Sequence, residues 1–470
     1  MYVFTMPAEK WDEKNPDKQA IRLLILKHVS RTKHLKKLKN YYEGKHKILE
    51  DEERENKLVC NHAKDIADTA SSYFIGNPVS YKSKEDITLL VDTLELAGAD
   101  EADGDNGLDL SIYGSAYEYI YTKKDTTDLV IKNLSPENTF MVYDDTIEQN
   151  ELFGVYYYAR VDDTAQTGTV YVATVLTQNY KYVLNIQDIE GPQSLLEAPE
   201  GHFKGEVPLI EYLNNKLALG DYELQIPLID AYNALMSDRI TDKEQFIDAI
   251  LAIYGTLLGD ENTDGTSQDS SEAMKQLKKE KLLEMPDASK AEYLTRTFDE
   301  SGVEILKKAI EQDIHKFSHI PCMTDESFGG NVSGVAMEFK LLGMENITKI
   351  KSRYYKKGIR KRLRIFANFI NTRSGVQIDP AIITPSFSRA MPKNLLEISQ
   401  YVANLWGKVS KKTLLAQIPF VENLEEELEQ VELEEKENMK RQQEIFGGFA
   451  NTPPDKGNPD DSSDKDAVDE

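Results

Sequence analysis

The sequence predicts an α+β fold in which a tyrosine-rich antiparallel β-meander is combined with one unusually long, basic helix. Short β-rich runs with turn residues between them follow one another across residues 112–186, where Tyr117, Tyr119 and Tyr121 occupy alternate positions. Residues 335–371 lack proline and contain few glycines, so they can form one helix about 55 Å long. Amphipathic helices are predicted on both sides of these two segments.

Composition indicates a globular chain of about two to four domains with a strongly acidic balance. The chain has 470 residues, of which 40% are hydrophobic and 29% charged, and its net charge is −25. Residues 421–470 contain 17 acidic and 5 basic residues, so the end of the chain carries much of the negative charge. A sequence-specific DNA-binding protein is normally basic, so this balance argues against that class, although it does not exclude DNA moving through a channel.

Cysteine usage and hydropathy argue against secretion and membrane insertion. The two cysteines, Cys60 and Cys322, are too few for a disulfide scaffold and have no CxxC spacing, which fits a reduced cytoplasm. The N-terminus lacks the pattern of a signal peptide, and the longest apolar run, residues 249–258, is too short to cross a bilayer.

The N-terminal region is predicted to contain two helices and a strand. The Asn-Pro-Asp sequence at residues 15–17 suits a helix start, and the Tyr-Tyr-Glu-Gly sequence at 41–44 suits its end. A second helix is expected from about residue 57 to 74, and a strand at 78–82.

The second half of the chain is predicted to be mainly helical. Helices are expected at 223–254, 303–317, 392–406 and 423–446, with a strand at 381–388. Residues 255–295 are loop-rich with one short helix at 271–281, and residues 447–470 are predicted to be disordered because they are rich in Gly, Pro, Asp and Ser.

The long helix has two different faces. Between residues 340 and 364 there are ten Lys or Arg and one acid, Glu345. Helical spacing puts five of these cations on one stripe: Lys349, Arg353, Lys356, Arg360 and Arg364. The same spacing puts an apolar set on the opposite side: Tyr355, Ile359, Leu363, Phe366 and Ile370. The stripe can contact nucleic-acid phosphates or an acidic neighbouring subunit, and we favour the subunit because a packed basic stripe needs no ligand.

Two fragments of metal-binding motifs are incomplete. Residues 260–265 match the first half of an EF-hand loop, but the bidentate Glu of the twelfth position is replaced by Ser271. His315 and His319 have the spacing that puts two imidazoles on one helical face, with Cys322 just beyond, but no fourth zinc ligand is apparent.

No set of catalytic residues is found. Asp325 with Glu338 and Lys340 has the acid and ExK spacing of a metal-dependent nuclease, but the ExK part is predicted on a helix instead of the strand which that chemistry uses. Phosphate-binding loops, nucleophile elbows, zinc-protease motifs and dinucleotide fingerprints are all absent from the sequence. The sequence therefore predicts a protein that is not an enzyme and has no metal ion and no cofactor.

Several stretches together resemble bacteriophage portal proteins of the siphophage type found with Gram-positive hosts. They lie in one order along most of residues 15–440, and they are YYEGKHKIL (41–49), NKLVCNHAKDIADTASSYFIGNPVSY (56–81), LIDAYNALMSDRITDKEQF (228–246), SHIPCMTDESFGGNVSGVAMEFKLLGMENI with its basic continuation (318–364), and FSRAMPKN to IPFVENLEEE (387–427).

The resemblance implies a portal-type subunit with an α/β wing that contains the meander, a helical stem, a small clip, a long basic helix and a helical crown. The implied parts are a wing at 1–222 with a returning strand at 376–391, stem helices at 223–254 and 296–318, a clip at 255–295, a tunnel loop at 319–334, the long helix at 335–372, a crown at 392–446 and a disordered acidic tail at 447–470. The tunnel loop implies a set of channel residues, namely Asp325, Glu326, Ser327, Phe328, Asn331, Val332 and Ser333.

The same resemblance implies partners and a location. Portal proteins form rings of about twelve copies at one capsid vertex, through which double-stranded DNA is packaged and ejected without sequence specificity. The implied partners are other copies of the chain, the large subunit of terminase, the major capsid and scaffolding proteins and a head-completion adaptor protein, with no membrane. The implied location is the virion, after assembly in the host cytoplasm. Two alternatives from other classes are a metal-dependent nuclease acting on phage DNA and a calcium-regulated adaptor.

Overall fold

The computed structural model describes residues 3–123, 126–160, 169–187, 194–202, 204–247, 250–254, 290–294, 300–323, 334–389, 395–415, 418, 421 and 424–448. By its internal contacts the chain divides into two units, Met1–Met391 and Pro392–Glu470.

The helices of the first unit include the long helix predicted from the sequence. They are α1 (Lys18–Tyr42), α2 (His62–Ile75), α3 (Thr88–Leu96), α4 (Ala99–Tyr113), α5 (Ile226–Ile247), α6 (Glu300–Ser318) and α7 (Gly334–Ser374). Helix α7 has 41 residues and is therefore about 60 Å long. Gly375 follows it with a φ of 70°, the left-handed conformation that commonly ends a helix.

The strands of the first unit are short and mostly antiparallel. They are β1 (Phe4–Met6), β2 (Ser80–Lys82), β3 (Ser115–Thr122), β4 (Leu129–Leu134), β5 (Thr139–Asp144), β6 (Glu151–Arg160), β7 (Val170–Leu176), β8 (Tyr180–Gln187), β9 (Ser194–Leu195), β10 (Glu200–Gly201), β11 (Leu209–Leu213), β12 (Ile250–Tyr254), β13 (Lys290–Leu294) and β14 (Thr384–Ser386).

These strands form two main sheets and two strand pairs. A seven-stranded sheet has the order β1-β5-β6-β7-β8-β10, with β9 paired to β8 off that path, and a three-stranded sheet has the order β11-β3-β4. Strand β1 is parallel to β5. The following pairs in the sheet, β5–β6, β6–β7 and β7–β8, are all antiparallel. The predicted antiparallel meander is confirmed, but it is divided between the two sheets, because the chain turns at Ser135–Asn138 between β4 and β5.

Four apolar clusters lie in the described part of the first unit, and three of them join its helices to one another or to its sheets. The first half of α1 packs on the seven-stranded sheet through Ile21 and Ile25. The second half of α1 joins α2, α5, α6 and the start of α7 in a helical cluster around Leu38 and Ile229. The rest of α7 packs against α3, α4 and the three-stranded sheet, where Phe366 is fully buried. Helix α7 thus takes part in two cores and connects them.

The second unit consists of helices in its described part. They are α8 (Leu395–Leu405), α9 (Lys411–Leu415) and α10 (Leu424–Gly448). Leu414 and Leu415 of α9 are buried, and Lys411 forms an ion pair with Glu435 of α10. The helices predicted at 392–406 and 423–446 are confirmed at 395–405 and 424–448.

Three predicted boundaries are wrong. Helix α2 begins at His62 instead of about residue 57, because the side chain of Asn61 caps it by accepting from the backbone N–H of Lys64. Helix α1 begins two residues later than the Asn-Pro-Asp sequence indicated, because the side chain of Asp17 caps it by accepting from the backbone N–H groups of Gln19 and Ala20. The helix predicted at 223–254 ends at Ile247, and β12 then pairs antiparallel with β13. Periodicity cannot distinguish a short apolar strand from a continuing helix, which explains the error at the end of α5.

Other predictions are confirmed or fall outside the described residues. The strands expected at 78–82 and 381–388 are present as β2 and β14, and they pair with each other. The short helix expected at 271–281, the EF-hand-like residues 260–265 and the tail after residue 448 lie outside the described residues. None of the described helices combines the length and the apolar character needed to cross a membrane.

Helix α7 approaches the three-stranded sheet most closely at Gly358, where its backbone contacts the ring of Tyr212. A Cβ atom added at Gly358 would lie 2.3 Å from the ring of Tyr212, which is fully buried in β11. A Cβ added at Gly343 of the same helix would meet only ordinary contacts, the nearest being His319 at 3.6 Å.

We expect Gly358→Ala to destabilise the protein by about 1–3 kcal/mol, because the added methyl group forces the helix away from the Tyr212 ring. The matched control Gly343→Ala should instead stabilise it by about 0.5–1 kcal/mol, the ordinary gain of alanine over glycine inside a helix. Chemical denaturation of both variants measures the two free energies of unfolding. Equal stabilisation by both would contradict the close packing at Gly358.

Candidate functional site on the long helix

The basic stripe predicted on the long helix is exposed in the isolated subunit. Lys349, Arg353, Arg360 and Arg364 are exposed, while Lys356 is half-buried with its ammonium group 5.7 Å from the centre of the Phe387 ring. Lys357, which the sequence analysis did not include, is exposed and falls in the same stripe at steps of four and three residues from its neighbours.

Only part of the stripe is neutralised within the subunit. Arg364 forms a two-bond ion pair with Glu206. Lys349 lies 3.7 Å from Glu345, a carboxylate that also accepts from Arg389 at 3.0 Å. The described part of the chain places no carboxylate within ion-pair distance of Arg353, Lys357 or Arg360.

The opposite face of the helix is buried as predicted. Tyr355, Ile359, Leu363 and Phe366 have no exposed surface, and Ile370 is 4% exposed. These side chains belong to the cluster that α7 forms with α3, α4 and the three-stranded sheet. The helix therefore has a fixed rotation about its own axis, which directs the basic stripe outward.

Sequence reasoning missed a second group of cations on this helix, which is buried. Arg362 has no exposed surface, and Lys351 and Lys361 are 3% and 4% exposed. A buried charge is costly unless it is paired and hydrogen-bonded, so each must have partners inside the protein.

Arg362 lies between two buried carboxylates. Its guanidinium donates to both oxygens of Asp103 on α4, at 2.6 and 3.0 Å, and to Glu118 on β3 at 2.9 Å and by a second, shorter bond. Burial alone would lower the pKa of Arg362, but Asp103 and Glu118 more than offset this effect and raise it well above its usual value. Two carboxylates face one guanidinium, so neutral donors complete the site.

Three neutral side chains supply these additional hydrogen bonds. The Tyr355 hydroxyl donates to Asp103, and the Tyr212 hydroxyl donates to Glu118 at 3.0 Å. Asn106 donates to Glu118 at 3.1 Å. Helices α4 and α7 and strands β3 and β11 thus meet in one buried polar network, and we call it the Arg362 network.

The other two buried lysines connect the helix to further elements. Lys351 donates to Asp221 at 2.7 Å and to the Ser111 hydroxyl at 3.1 Å. Lys361 pairs with Glu151 on β6 and donates to the Leu209 carbonyl on β11 at 2.7 Å. Burial is the main cause that lowers the pKa of Lys361, while Glu151 acts in the opposite direction. The helix is therefore held to both sheets by charged groups as well as by apolar packing.

The prediction that His315 and His319 share one helical face is wrong. His315 is buried near the end of α6, where its Nδ1 lies 3.1 Å from the Ile320 carbonyl oxygen, but His319 lies beyond the helix with a φ of 59°. Helical spacing therefore does not apply to His319. No group of three or more His, Cys, Asp or Glu within the described ranges is arranged to hold a metal ion.

Two of the three nuclease-like residues belong to the described structure, and Asp325 does not. Glu338 and Lys340 lie on the exposed face of α7, as expected from their helical pattern. The tunnel-loop residues lie outside the described residues, and they are Asp325, Glu326, Ser327, Phe328, Asn331, Val332 and Ser333.

Comparison with known proteins identifies a matching family and similar chains. Residues 22–441 match the family model described as phage portal protein, SPP1 Gp6-like. The portal protein of Bacillus phage SPP1 is 24% identical, over 98% of this chain and 91% of its own length. The portal protein of Clostridium phage phiCD119 is 22% identical, over 89% of this chain and 96% of its own length. A solved structure, the neck of an empty GTA particle computed with C6 symmetry, aligns at 11% identity with a TM-score of 0.44, over 76% of this chain and 90% of its own.

The Arg362 network predicts a large difference between neighbouring arginines. Arg362→Met should destabilise the subunit by about 3–5 kcal/mol, because it leaves two buried carboxylates without their cation. Arg360→Met, two residues earlier on the exposed face, should change stability by less than about 0.5 kcal/mol. Chemical denaturation at neutral pH measures both changes, and similar values for the two variants would contradict the importance of the buried pair.

Proposed function

The chain belongs to the SPP1 Gp6-like family of phage portal proteins, and from that membership we propose that it forms a ring of about twelve copies at one vertex of a capsid. The observation that carries the proposal is the family match, which spans residues 22–441 and so includes nearly all of the described chain. As a portal protein the chain is a component of the virion and is not an enzyme, and neither the nuclease nor the calcium-regulated adaptor is favoured.

The parts of the subunit follow from the family architecture. We propose the wing at 1–222 with the returning strand at 376–391, the stem at 223–254 and 296–318, the clip at 255–295, the tunnel loop at 319–334, the long helix at 335–372 and the crown at 392–446. The clip is the proposed contact for the large subunit of terminase. Capsid, scaffolding and head-completion proteins are proposed to bind other surfaces of the ring, which is assembled in the host cytoplasm.

The acidic balance supports a channel through which double-stranded DNA slides. Twelve copies at −25 each give a ring with a charge of about −300, so the bulk of the ring repels DNA. Tight phosphate binding along the channel would act as a brake on movement, and a mainly acidic ring avoids it. Portal function in this proposal needs steric guidance of DNA and no sequence-specific contact.

The exposed stripe on α7 is proposed to contact the next subunit in the ring. Arg353, Lys357 and Arg360 have no ion-pair partner within the described part of the subunit, so a neighbour can supply one. Helices α3 and α4 offer a suitable surface, since residues 85–122 contain no Lys or Arg and seven of their ten acids are exposed. Among these acids, Asp92 and Glu95 on α3 are exposed. When one surface of a subunit binds a different surface of the next identical subunit, the contact is of the type that closes into a ring.

Charge reversal tests this contact. The double variant Arg353→Glu/Arg360→Glu should raise the protein concentration needed for ring formation by about tenfold or more, because like charges then face each other. Adding Asp92→Lys and Glu95→Lys should restore assembly in the quadruple variant, since the attraction returns with opposite sign. Mass photometry and electron microscopy measure the proportion of rings.

The matched control is Lys132→Glu/Lys216→Glu, which makes the same change of charge at two exposed lysines outside the stripe. This control should assemble as the unmodified chain does. Loss of rings in the control, or normal rings with the reversed stripe, would remove the stripe from the interface. A chain that stays monomeric under all conditions would contradict the ring itself.

The tunnel loop is proposed to be needed for DNA passage but not for ring formation. Residues 326–331 are polar and Gly-rich, so they contribute little apolar burial. Their deletion should leave rings and empty capsids intact, while the yield of DNA-filled heads falls by about tenfold or more. Electron microscopy of rings and DNA measurement in purified heads separate the two effects. Full packaging by the deletion variant would overturn the function proposed for the loop and leave the ring proposal standing.

A further inference from the structure

A groove between α1 and the seven-stranded sheet is not used by the function proposed above. Its cavity volume is about 500 Å³, and Lys33, Lys36 and Lys39 of α1 line one side. Tyr157, Tyr158 and Ala159 of β6 line the other side, together with the turn that precedes β5. We call it the α1–β6 groove.

The groove is positively charged in a strongly acidic chain. Residues 27–42 contain six Lys or Arg and no acid. Lys39 lies 3.4 Å from Glu137, whereas Lys33 and Lys36 have no ion partner within the described part of the chain. Both of these lysines are exposed, so two positive charges stand beside the groove without a counter-charge from the subunit.

Among the described residues, no strand pairs with the end of β6 on the side of β5, so the groove also contains an open strand position. Strand β5 begins at Thr139, which is paired with Tyr156 of β6. On the side of β6 that faces β5, the last backbone hydrogen bond runs from the Tyr157 N–H to the Asn138 carbonyl at 3.0 Å. Strand β6 continues to Arg160. Backbone groups face alternate sides along a strand, so the N–H and C=O of Ala159 face the same side of β6 as those of Tyr157. At Ala159, however, β5 has not yet begun, and these two groups have no strand opposite them in the described part of the chain.

The walls of the groove are fixed by hydrogen bonds. The chain leaves the sheet in a turn in which Asn138 donates its backbone N–H to the Ser135 carbonyl, and the Thr32 hydroxyl of α1 donates to the Glu137 carbonyl at 3.1 Å. The Tyr157 hydroxyl lies 2.8 Å from the buried His28 ring nitrogen. The groove is therefore formed before any ligand arrives, which lowers the entropic cost of binding.

We propose that the α1–β6 groove binds an extended acidic peptide of a partner protein, which adds to β6 as a short strand. Lys33 and Lys36 are three residues apart on a helix, so their side chains start about 5–6 Å from each other. Carboxylates on alternate residues of an extended peptide are about 6.6 Å apart, a spacing that matches the two lysines. Main-chain bonds to Ala159 then supply affinity, and the lysines select acidic side chains.

Nucleic acid fits the same groove less well. The carboxylate of Glu137 lies in the groove, where the Tyr113 hydroxyl holds it at 3.0 Å and Lys39 pairs with it, and it acts on phosphates and on peptide carboxylates alike. The open strand position is what discriminates, because a DNA backbone can accept from the Ala159 N–H but has no donor for the Ala159 C=O, whereas a peptide has both. The inference does not depend on the ring or on the basic stripe of α7, so either proposal can fail without the other.

The test uses the full chain and a fluorescein-labelled, acetylated heptapeptide in which Glu and Val alternate. Fluorescence polarisation at low salt should show saturable binding, and a peptide with Lys in place of Glu should not bind. Lys33→Glu/Lys36→Glu should weaken binding by about tenfold or more. The control Lys10→Glu/Lys14→Glu, with the same change of charge at exposed lysines outside the groove, should stay within about twofold.

Hydrogen exchange distinguishes strand addition from loose electrostatic attraction. Binding of the acidic peptide should slow amide exchange in residues 157–160 of β6, because the peptide covers the open strand position. Unchanged exchange there would overturn the proposal, as would equal binding by both double variants or no binding up to about 1 mM peptide. Tighter binding of a DNA duplex than of the peptide, lost in Lys33→Glu/Lys36→Glu, would also overturn it in favour of a nucleic-acid site.

Discussion

The buried guanidinium of Arg362 is the constraint on which the arrangement of the subunit depends. A charge removed from water is tolerated only where opposite charge and hydrogen bonds surround it closely, and Asp103 and Glu118 supply both. These carboxylates come from a helix and a strand that are far from Arg362 in sequence, so the pairing fixes α4, β3 and α7 relative to one another. It also fixes the rotation of α7 about its axis, since a turn of one residue would bring Arg362 out of the site and leave two carboxylates unpaired.

The fixed rotation gives the cations of the long helix two different roles. Lys351, Lys361 and Arg362 hold the helix to the α/β part of the subunit, whereas Arg353 and Arg360 remain exposed and unpaired in the described part of the chain. The chain has a net charge of −25, yet these cations of the stripe have no carboxylate partner among the described residues. Their surface is therefore suited to an acidic partner. In a ring of identical subunits that partner can be the next copy, whose α3 carries the exposed acids Asp92 and Glu95.

The sequence predicted elements with strong periodicity and missed features that depend on contacts between distant residues. The long helix, its apolar face from Tyr355 to Ile370, and the alternating strands of the meander all follow from local spacing. The division of the meander into two sheets does not, because it depends on the turn at residues 135–138, which the distant Thr32 hydroxyl holds by a hydrogen bond to the Glu137 carbonyl. Arg362 lies three residues after Ile359 and four before Phe366, so its position on the apolar face was visible, but its partners Asp103 and Glu118 were not. His319 was misassigned because the left-handed conformation that ends α6 leaves no clear signal at that residue.

An electron-microscopy reconstruction of the assembled protein, at a resolution that shows side chains, distinguishes the buried cations of α7 from those that contact a neighbour. We expect a ring in which Arg362 remains buried between Asp103 and Glu118 of its own subunit, while Arg353 and Arg360 contact carboxylates of the adjacent subunit. A ring in which these two arginines line the central channel, or lie in solvent away from any neighbour, would contradict the assignment of the stripe. An assembly in which Arg362 is exposed or paired across subunits would contradict the anchoring role of the buried network.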